Sequence, residues 1–248
     1  HGSITEIDVP LLNEKPYIEM TLKYLHEQSI NFEYTPDFSY FKIFGGGSYK
    51  PVSAAVPGDF SSAAFPALAA VVSGGTVELS GLDPDDTQGD KAFFTMLSAM
   101  GADVAWKKTG EGWVVSVSRG GGLAGGVFDL NATPDLLPAA CVLAAYARGE
   151  SAFINTGSAR IKETDRIAAM AEELAKAGIK SRELPDGIVV QGGRFSAAVF
   201  DGRCDHRIVM ALSCAALGAD APSEIIGAEA AAVTYPGFLD LIKGGETL

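Results

Sequence analysis

Sulfur and imidazole are scarce in this chain: three cysteines (Cys141, Cys204, Cys214) and three histidines (His1, His26, His206) are spread over 248 residues. Their spacing fits neither a disulfide framework nor a zinc site, so the expectation is a reduced, cytoplasmic protein without a metal. Long apolar runs are missing too. The segment Ala63–Val72 is about ten residues long, whereas a membrane-spanning helix needs roughly 18–20. No basic-then-apolar leader opens the chain, so nothing in it reads as a secretion signal. Positive charge is also short: 19 Lys and Arg face 31 Asp and Glu, giving a net charge of −12 and a pI near 4.6. Such a chain repels polyanions, which argues against nucleic acid and anionic membranes as partners. Any bound anion has to be held by a local cluster of cations. What the chain does have is apolar matter: 47% hydrophobic residues and a mean hydropathy of +0.17 exclude disorder and supply a core for one large domain or two small ones.

That apolar matter is arranged as a repeat. Asp59-Phe-Ser-Ser-Ala-Ala-Phe opens an Ala-rich run, and Asp135-Leu-Leu-Pro-Ala-Ala-Cys and Asp205-His-Arg-Ile-Val-Met-Ala open two more, 76 and 70 residues further on in turn. An Asp there predicts a helix start, because its carboxylate accepts the free amides of the first turn. A second segment type lies between these copies. Gln88-Gly-Asp-Lys-Ala-Phe-Phe matches Lys162-Glu-Thr-Asp-Arg-Ile-Ala, and Lys15-Pro-Tyr-Ile-Glu-Met matches both. Each predicts an amphipathic helix followed by two strands, clearest at Trp113-Val-Val-Ser-Val and Gly187-Ile-Val-Val-Gln. The unit reads β-α-β-α-β-β over about 70 residues, an α/β fold built from α+β repeats. Residues 57–126 and 127–196 hold whole units, 1–56 holds the second half of one, and 197–248 runs out before its strands. The expected domains are accordingly 1–56, the end of one globular half, and 57–248, most of another. Gly45-Gly-Gly and Gly120-Gly-Gly read as hairpin turns, since neither leads into a helix as a phosphate loop does.

Cations cluster at two expected helix starts. Arg160-Ile-Lys162-Glu163-Thr-Asp-Arg166 precedes a helix running to about Ala177, whose buried face is Ile167, Met170 and Leu174. Lys162 and Arg166, four apart in a first turn, repel each other and oppose the helix dipole. A bound phosphate or carboxylate reverses both penalties. The competing reading is a solvated face neutralised by Asp165 and Glu163. Glu163 points toward the apolar face on this wheel, which makes it a candidate general acid, or else a capping carboxylate. Asp205-His206-Arg207 is the second cluster. Arg207 and the free amides of its turn suit an anionic oxygen, while a lone His206 suits a structural role.

These segments together resemble 5-enolpyruvylshikimate-3-phosphate synthases (3-phosphoshikimate 1-carboxyvinyltransferases). Arg160-Ile-Lys-Glu-Thr-Asp-Arg-Ile-Ala-Ala-Met is similar to the family signature, and Lys15-Pro-Tyr-Ile-Glu-Met-Thr-Leu, Val56-Pro-Gly-Asp-Phe-Ser-Ser-Ala-Ala-Phe and Asp205-His-Arg-Ile-Val-Met-Ala resemble three further blocks in family order. The resemblance implies an enolpyruvyl transferase-like architecture, an inside-out α/β barrel of six such units in two halves, here incomplete on its N-terminal side. It implies transfer of the enolpyruvyl group of phosphoenolpyruvate to the 5-hydroxyl of shikimate 3-phosphate, by addition and elimination, with no cofactor. Carried over by motif, the catalytic residues are Asp135, taking the hydroxyl proton, Glu163, serving the enolpyruvyl carbon, and Lys162. Lys162, Arg166 and Arg207 hold phosphoenolpyruvate, with His206 supporting them by hydrogen bonding. Tyr17, Ser158 and Lys162 face the shikimate phosphate.

Departures from the family pattern are Glu14 in place of a phosphate-binding Ser, Ser158 in place of Asn, Ala159 in place of Trp, and Val233 in place of Lys. The family's Lys-Ser-x-x-x-Arg start and its Ser-Ser-Gln block have no match. The expectation is therefore a chain that is not competent alone, completed by an N-terminal segment or a second copy. Two alternatives are a UDP-N-acetylglucosamine enolpyruvyl transferase, against which the Lys162–Arg166 run argues, and a non-catalytic anion-binding fragment. RNA-end processing on a related repeat fold fits poorly with the −12 charge.

Overall fold

The computed structural model describes residues 2–244. Its contacts divide into two compact units: the residues up to Val56 with Thr87–Gly89, and Pro57–Asp86 with the residues from Asp90 onward. The first unit carries β1 (Ile4–Asp8), α1 (Lys15–Glu27), β2 (Phe32–Tyr34) and β3 (Tyr40–Phe44). Its strands form an antiparallel sheet in the order β1-β3-β2, with Ile7 opposite Phe41 and Phe41 opposite Tyr34. Its core is thin. Phe38 and Phe41 are its buried apolar side chains, and α1 buries none.

The second unit carries α2 (Phe60–Ser73), β4 (Thr76–Ser80), α3 (Ala92–Ala99), β5 (Asp103–Thr109), β6 (Gly112–Ser118) and β7 (Val127–Asp129). It continues with α4 (Leu137–Ala145), β8 (Glu150–Ile154), α5 (Arg166–Lys176), β9 (Ser181–Leu184), β10 (Gly187–Gln191), β11 (Val199–Asp201), α6 (His206–Ala216), β12 (Glu224–Ile226) and α7 (Phe238–Ile242). Strands β7-β8-β10-β9 make one sheet, β4-β6-β5 another and β11-β12 a third. The helices that open the three repeat copies, α2, α4 and α6, pack on one another, and all nine residues of α4 are buried. Sheet strands such as β4 instead alternate partly buried and exposed side chains. Apolar helices inside and half-exposed sheets outside follow from the sequence: helices rich in Ala and Leu all round have no polar face to turn to water.

The repeat is complete in 127–196, where β7-α4-β8-α5-β9-β10 reproduces the expected order. It is not complete in 57–126, which lacks the opening strand. Pro51 and Pro57 have no amide to donate, and Val52 (73% exposed) and Val56 (91% exposed) find no apolar cover, so the run between them stays irregular. The Gly triplets are not hairpin turns either: Gly45–Gly47 follows β3 toward α2, and Gly120–Gly122 links β6 to β7 of a different sheet. Hairpins turn instead at Thr35–Ser39 between β2 and β3, at Gly110-Glu111 and at Pro185-Asp186. Among the described residues no helix is long and apolar enough to cross a membrane.

Candidate active site

Three elements of the second unit meet at one cluster of charge: the 3-10 turn Pro134–Leu136, the start of α5 and the start of α6. Helix α5 begins at Arg166, later than the sequence suggested. Asp165 is its N-cap, extended at φ −68° and ψ 91°, and its carboxylate accepts from the Ala168 amide at 3.0 Å. Lys162 is extended as well, so Lys162 and Arg166 are not neighbours in a helical turn and Glu163 is not on the wheel. The Glu163 side chain is 48% exposed and faces Arg166 rather than the apolar stripe. The stripe itself is as expected, with Ile167, Met170 and Leu174 fully buried. Asp135 also differs from expectation: it lies within the 3-10 turn, and α4 starts two residues later without a side-chain cap. Asp59 and Asp205 do cap their helices.

Arg166 is the hub. Its guanidinium is buried and meets three carboxylates: Asp205 through Nε at 2.8 Å, Asp135 through Nη1 at 2.8 Å and Glu163 through Nη2 at 2.5 Å. Burial works against this charge, but Asp205, Asp135 and Glu163 outweigh it and raise the Arg166 pKa. Asp135 in turn meets Lys162 Nζ at 3.5 Å and Arg207 Nη2 at 3.2 Å besides Arg166. Burial pushes its carboxyl up, yet Arg207, Arg166 and Lys162 together hold it below the usual carboxylate range. His206 Nδ1 lies 3.9 Å from Glu163. Burial, with Arg207 beside it, lowers the His206 pKa and favours the neutral ring. The chain reaches α6 through two consecutive left-handed residues, Arg203 (φ 51°) and Cys204 (φ 54°), which turn Asp205 into its capping position. Such residues cost about 1 kcal/mol or more each, a sign that the cap position is enforced.

The structure thus brings Asp135, Lys162, Glu163, Arg166, His206 and Arg207 together. Ser158 lies in the 3-10 turn 157–161, which packs on the turn that carries Asp135. Tyr17 belongs to the first unit, on α1, where its backbone carbonyl accepts from Thr21 Oγ1. Glu14 caps that helix in a left-handed conformation, at φ 56°. Val233 closes the 3-10 turn 228–233 and is 78% exposed. Two further residues carry no sequence signal for this site. The position of Asp205 predicts a helix cap, and its second role against Arg166, 39 residues away, has no local signal. Asp90, two residues before α3, is buried, and its carboxyl is pushed up to about 6 by that burial, against the pull of Arg207 and Ser61. A fully buried carboxylate in a Gln-Gly-Asp turn was visible only as part of the repeat. Among the described residues no group of three or more His, Cys, Asp or Glu side chains is arranged to hold a metal ion.

A buried Arg, a second Arg and a Lys around one carboxylate can hold an oxyanion beside a proton acceptor. The sequence model of the family "EPSP synthase (3-phosphoshikimate 1-carboxyvinyltransferase)" matches residues 2–242. The chain is 44% identical over 239 residues to a 3-phosphoshikimate 1-carboxyvinyltransferase of Acetivibrio thermocellus, covering 96% of this chain and 55% of that protein. It is 44% identical to one from Methanocella arvoryzae over 235 residues, 94% of this chain and 54% of the relative. A solved EPSP synthase from Acinetobacter baumannii superposes with a TM-score of 0.79 at 26% identity, covering 98% of this chain and 57% of that one. The enolpyruvyl transferase NikO from Streptomyces tendae shares the fold, with a TM-score of 0.74 at 19% identity, covering 98% of this chain and 55% of that one. The chain spans about 55% of the length of the curated relatives it matches, and it belongs to the EPSP synthase family.

Proposed function

We propose that the chain supplies the phosphoenolpyruvate-binding side and the proton-transfer groups for transfer of an enolpyruvyl group to the 5-hydroxyl of shikimate 3-phosphate, in the cytoplasm. The observation that carries this reading is the Asp135 carboxylate, within 3.5 Å of Lys162, Arg166 and Arg207. Three cations on one carboxylate make a poor base while the site is empty, because they stabilise its charged form. An incoming phosphate and carboxylate compete for Arg166, Arg207 and Lys162, and the basicity of Asp135 rises as they leave it. Asp135 then accepts the hydroxyl proton as the oxygen attacks the enol carbon. Glu163, half-exposed beside His206, donates a proton to the methylene carbon to give the tetrahedral adduct. Elimination breaks the bond from the former enol carbon to the phosphate oxygen, phosphate leaves with the proton held by Asp135, and a methyl proton returns to the Glu163 carboxylate as the double bond reforms. Ser158 and Tyr17 are assigned to the shikimate phosphate by family motif, with Lys162 shared between the two substrates. Because the relatives are nearly twice as long, turnover is proposed for a complete enzyme and ligand binding for this chain.

Calorimetric titration with phosphoenolpyruvate, shikimate 3-phosphate and both together tests this, with the chain run beside Lys162→Ala and Arg207→Ala. Saturable binding that falls about tenfold or more in each variant is expected, since one charge-assisted contact is worth roughly 1.5–3 kcal/mol. No binding of either ligand, or binding indifferent to both substitutions, overturns the reading in favour of a folded fragment without the activity. The UDP-N-acetylglucosamine alternative is not favoured, since the family match and the curated relatives from Acetivibrio thermocellus and Ruminiclostridium cellulolyticum are of the shikimate enzyme.

A further inference from the structure

The charges at the site do not suit an anion as they stand. Lys162, Arg166 and Arg207 face Asp135, Glu163 and Asp205 in direct ion pairs, so the pairs already balance. His206 adds no charge in its neutral form. Asp90 is a fourth carboxylate: it is 4% exposed, burial acts most strongly against its charge, Arg207 and Ser61 favour that charge, and Asp135 and Asp59 oppose it. With Asp90 ionised, the cluster is net negative before any ligand arrives, and a dianion is repelled at short range. Proton uptake by one of the carboxylates removes that obstacle.

The four carboxylates are unequal in what holds their charge. Asp205 accepts from Arg166 and from the Arg207 amide at 2.9 Å. Asp135 has three cations, and Glu163 has Arg166 and open solvent. Asp90 has a buried Oδ1 with no well-formed hydrogen bond among the described residues; the buried Ser61 hydroxyl is near enough to favour its charge but makes no well-formed hydrogen bond to it. A buried, unsatisfied carboxylate oxygen is the one whose ionised form is least supported, and protonation turns it into a donor. Lys91, the cation next in sequence, does not help: its Nζ donates to the Pro84 and Asp86 carbonyls at 3.0 and 2.6 Å. At the N-cap of α2, Asp59 acts on Asp90 as a like charge, with its own oxygens occupied by the Ser61 and Ser62 amides.

We propose that Asp90 couples anion binding at Lys162, Arg166 and Arg207 to proton uptake: ionised in the empty site, it takes up a proton when an anion binds and frees the field of Arg207 for that anion. The inference rests on the reading of this cluster as an anion site. Its value near 6 places the exchange between mildly acid and neutral pH. Selectivity follows: a ligand is held best when it arrives with enough negative charge to drive the proton onto Asp90, so dianions gain over monoanions.

Sulfate is the probe, because it stays a dianion across the working range and brings no proton equilibrium of its own. It is titrated calorimetrically into the 248-residue chain from about pH 5.5 to pH 8, in buffers of different ionisation heat, beside Asp90→Asn and Arg207→Ala. The expected result is uptake of up to one proton per sulfate near neutral pH and an affinity that falls up to about tenfold per pH unit above pH 6. Asp90→Asn is expected to abolish both the uptake and most of the slope, leaving sulfate bound at pH 8 about as tightly as wild type binds it at pH 6. Sulfate binding that needs Arg207 but takes up no proton in wild type overturns the role of Asp90 alone, and that measurement stands even if Asp90→Asn does not fold. Retention of the pH slope in a folded Asp90→Asn variant, which would assign it to His206 or Asp135, overturns it too. Absence of saturable sulfate binding at every pH overturns the anion-site reading and the inference with it.

Discussion

A guanidinium 1% exposed, such as that of Arg166, persists in the interior only because carboxylates surround it. Removing it strands Asp205, which has no solvent access, and an uncompensated buried charge costs about 3–5 kcal/mol. Arg166→Ala is therefore expected to lower unfolding stability by that amount in urea titrations. Arg166→Lys is expected to recover little of it, since an ammonium cannot span the positions that Nε, Nη1 and Nη2 occupy. Two acids have opposite pH signatures. The ion pairs of Asp135 stabilise the fold above the unfolded carboxyl pKa, near 3.9, and that stability is lost as pH falls through its lower folded value. Asp90, raised from 3.8 to about 6, destabilises the fold when ionised, by up to about 3 kcal/mol above pH 6 and not at all below pH 3.8. Asp90→Asn is thus expected to raise the melting temperature at pH 7.5 and to leave it unchanged near pH 4. The cationic residues of this site were legible because like charges crowded at a helix start demand an explanation. Asp90 was not, because it sits 117 residues from Arg207 in the chain, and only folding gives it that neighbour.

At the scale of elements, the sequence pattern located α5 and its buried face but set its start too early. Periodicity reports which side chains point inward and is silent on the residue where the backbone leaves the helix. That residue was fixed by a cap, the Asp165 carboxylate on the Ala168 amide, with Arg160 Nη1 holding the same carboxylate at 2.8 Å. Asp165→Ala is expected to cost about 1–2 kcal/mol in urea titrations, because it removes both a cap and an ion-pair partner. It is also expected to weaken ligand binding, since Lys162 and Glu163 lie in the segment that Asp165 anchors. Asp135 was misplaced for a related reason. Pro134 and Pro138 flank it, and the 3-10 turn they favour shifts the start of α4 past it.

For the whole molecule, the repeat was readable because burying three helices against one another requires the same Ala-rich pattern each time. The strand missing from 57–126 was not readable, since its apolar residues look like strand residues until their exposure is known. The uneven division of apolar burial has a measurable consequence. Residues 4–44 keep two buried apolar side chains, Phe38 and Phe41, while α2, α4 and α6 are interior. Local stability follows burial. Hydrogen exchange is expected to be fast throughout α1 and slowest in α4. Limited proteolysis is expected to cut first before Pro57 and to leave a resistant product beginning near it. Equal protection in α1 and α4 would refute this.

Helix α4, buried along its whole length, has a consequence for how this sequence can drift. A helix with a wet side offers positions where side chains are exchanged at no cost. One enclosed all round offers none, and admits only swaps of nearly equal volume. Its run of alanines is therefore a record of available space. Over long divergence it should change more slowly than the charged residues that the solvent-facing helices carry, whatever becomes of the chemistry beside it.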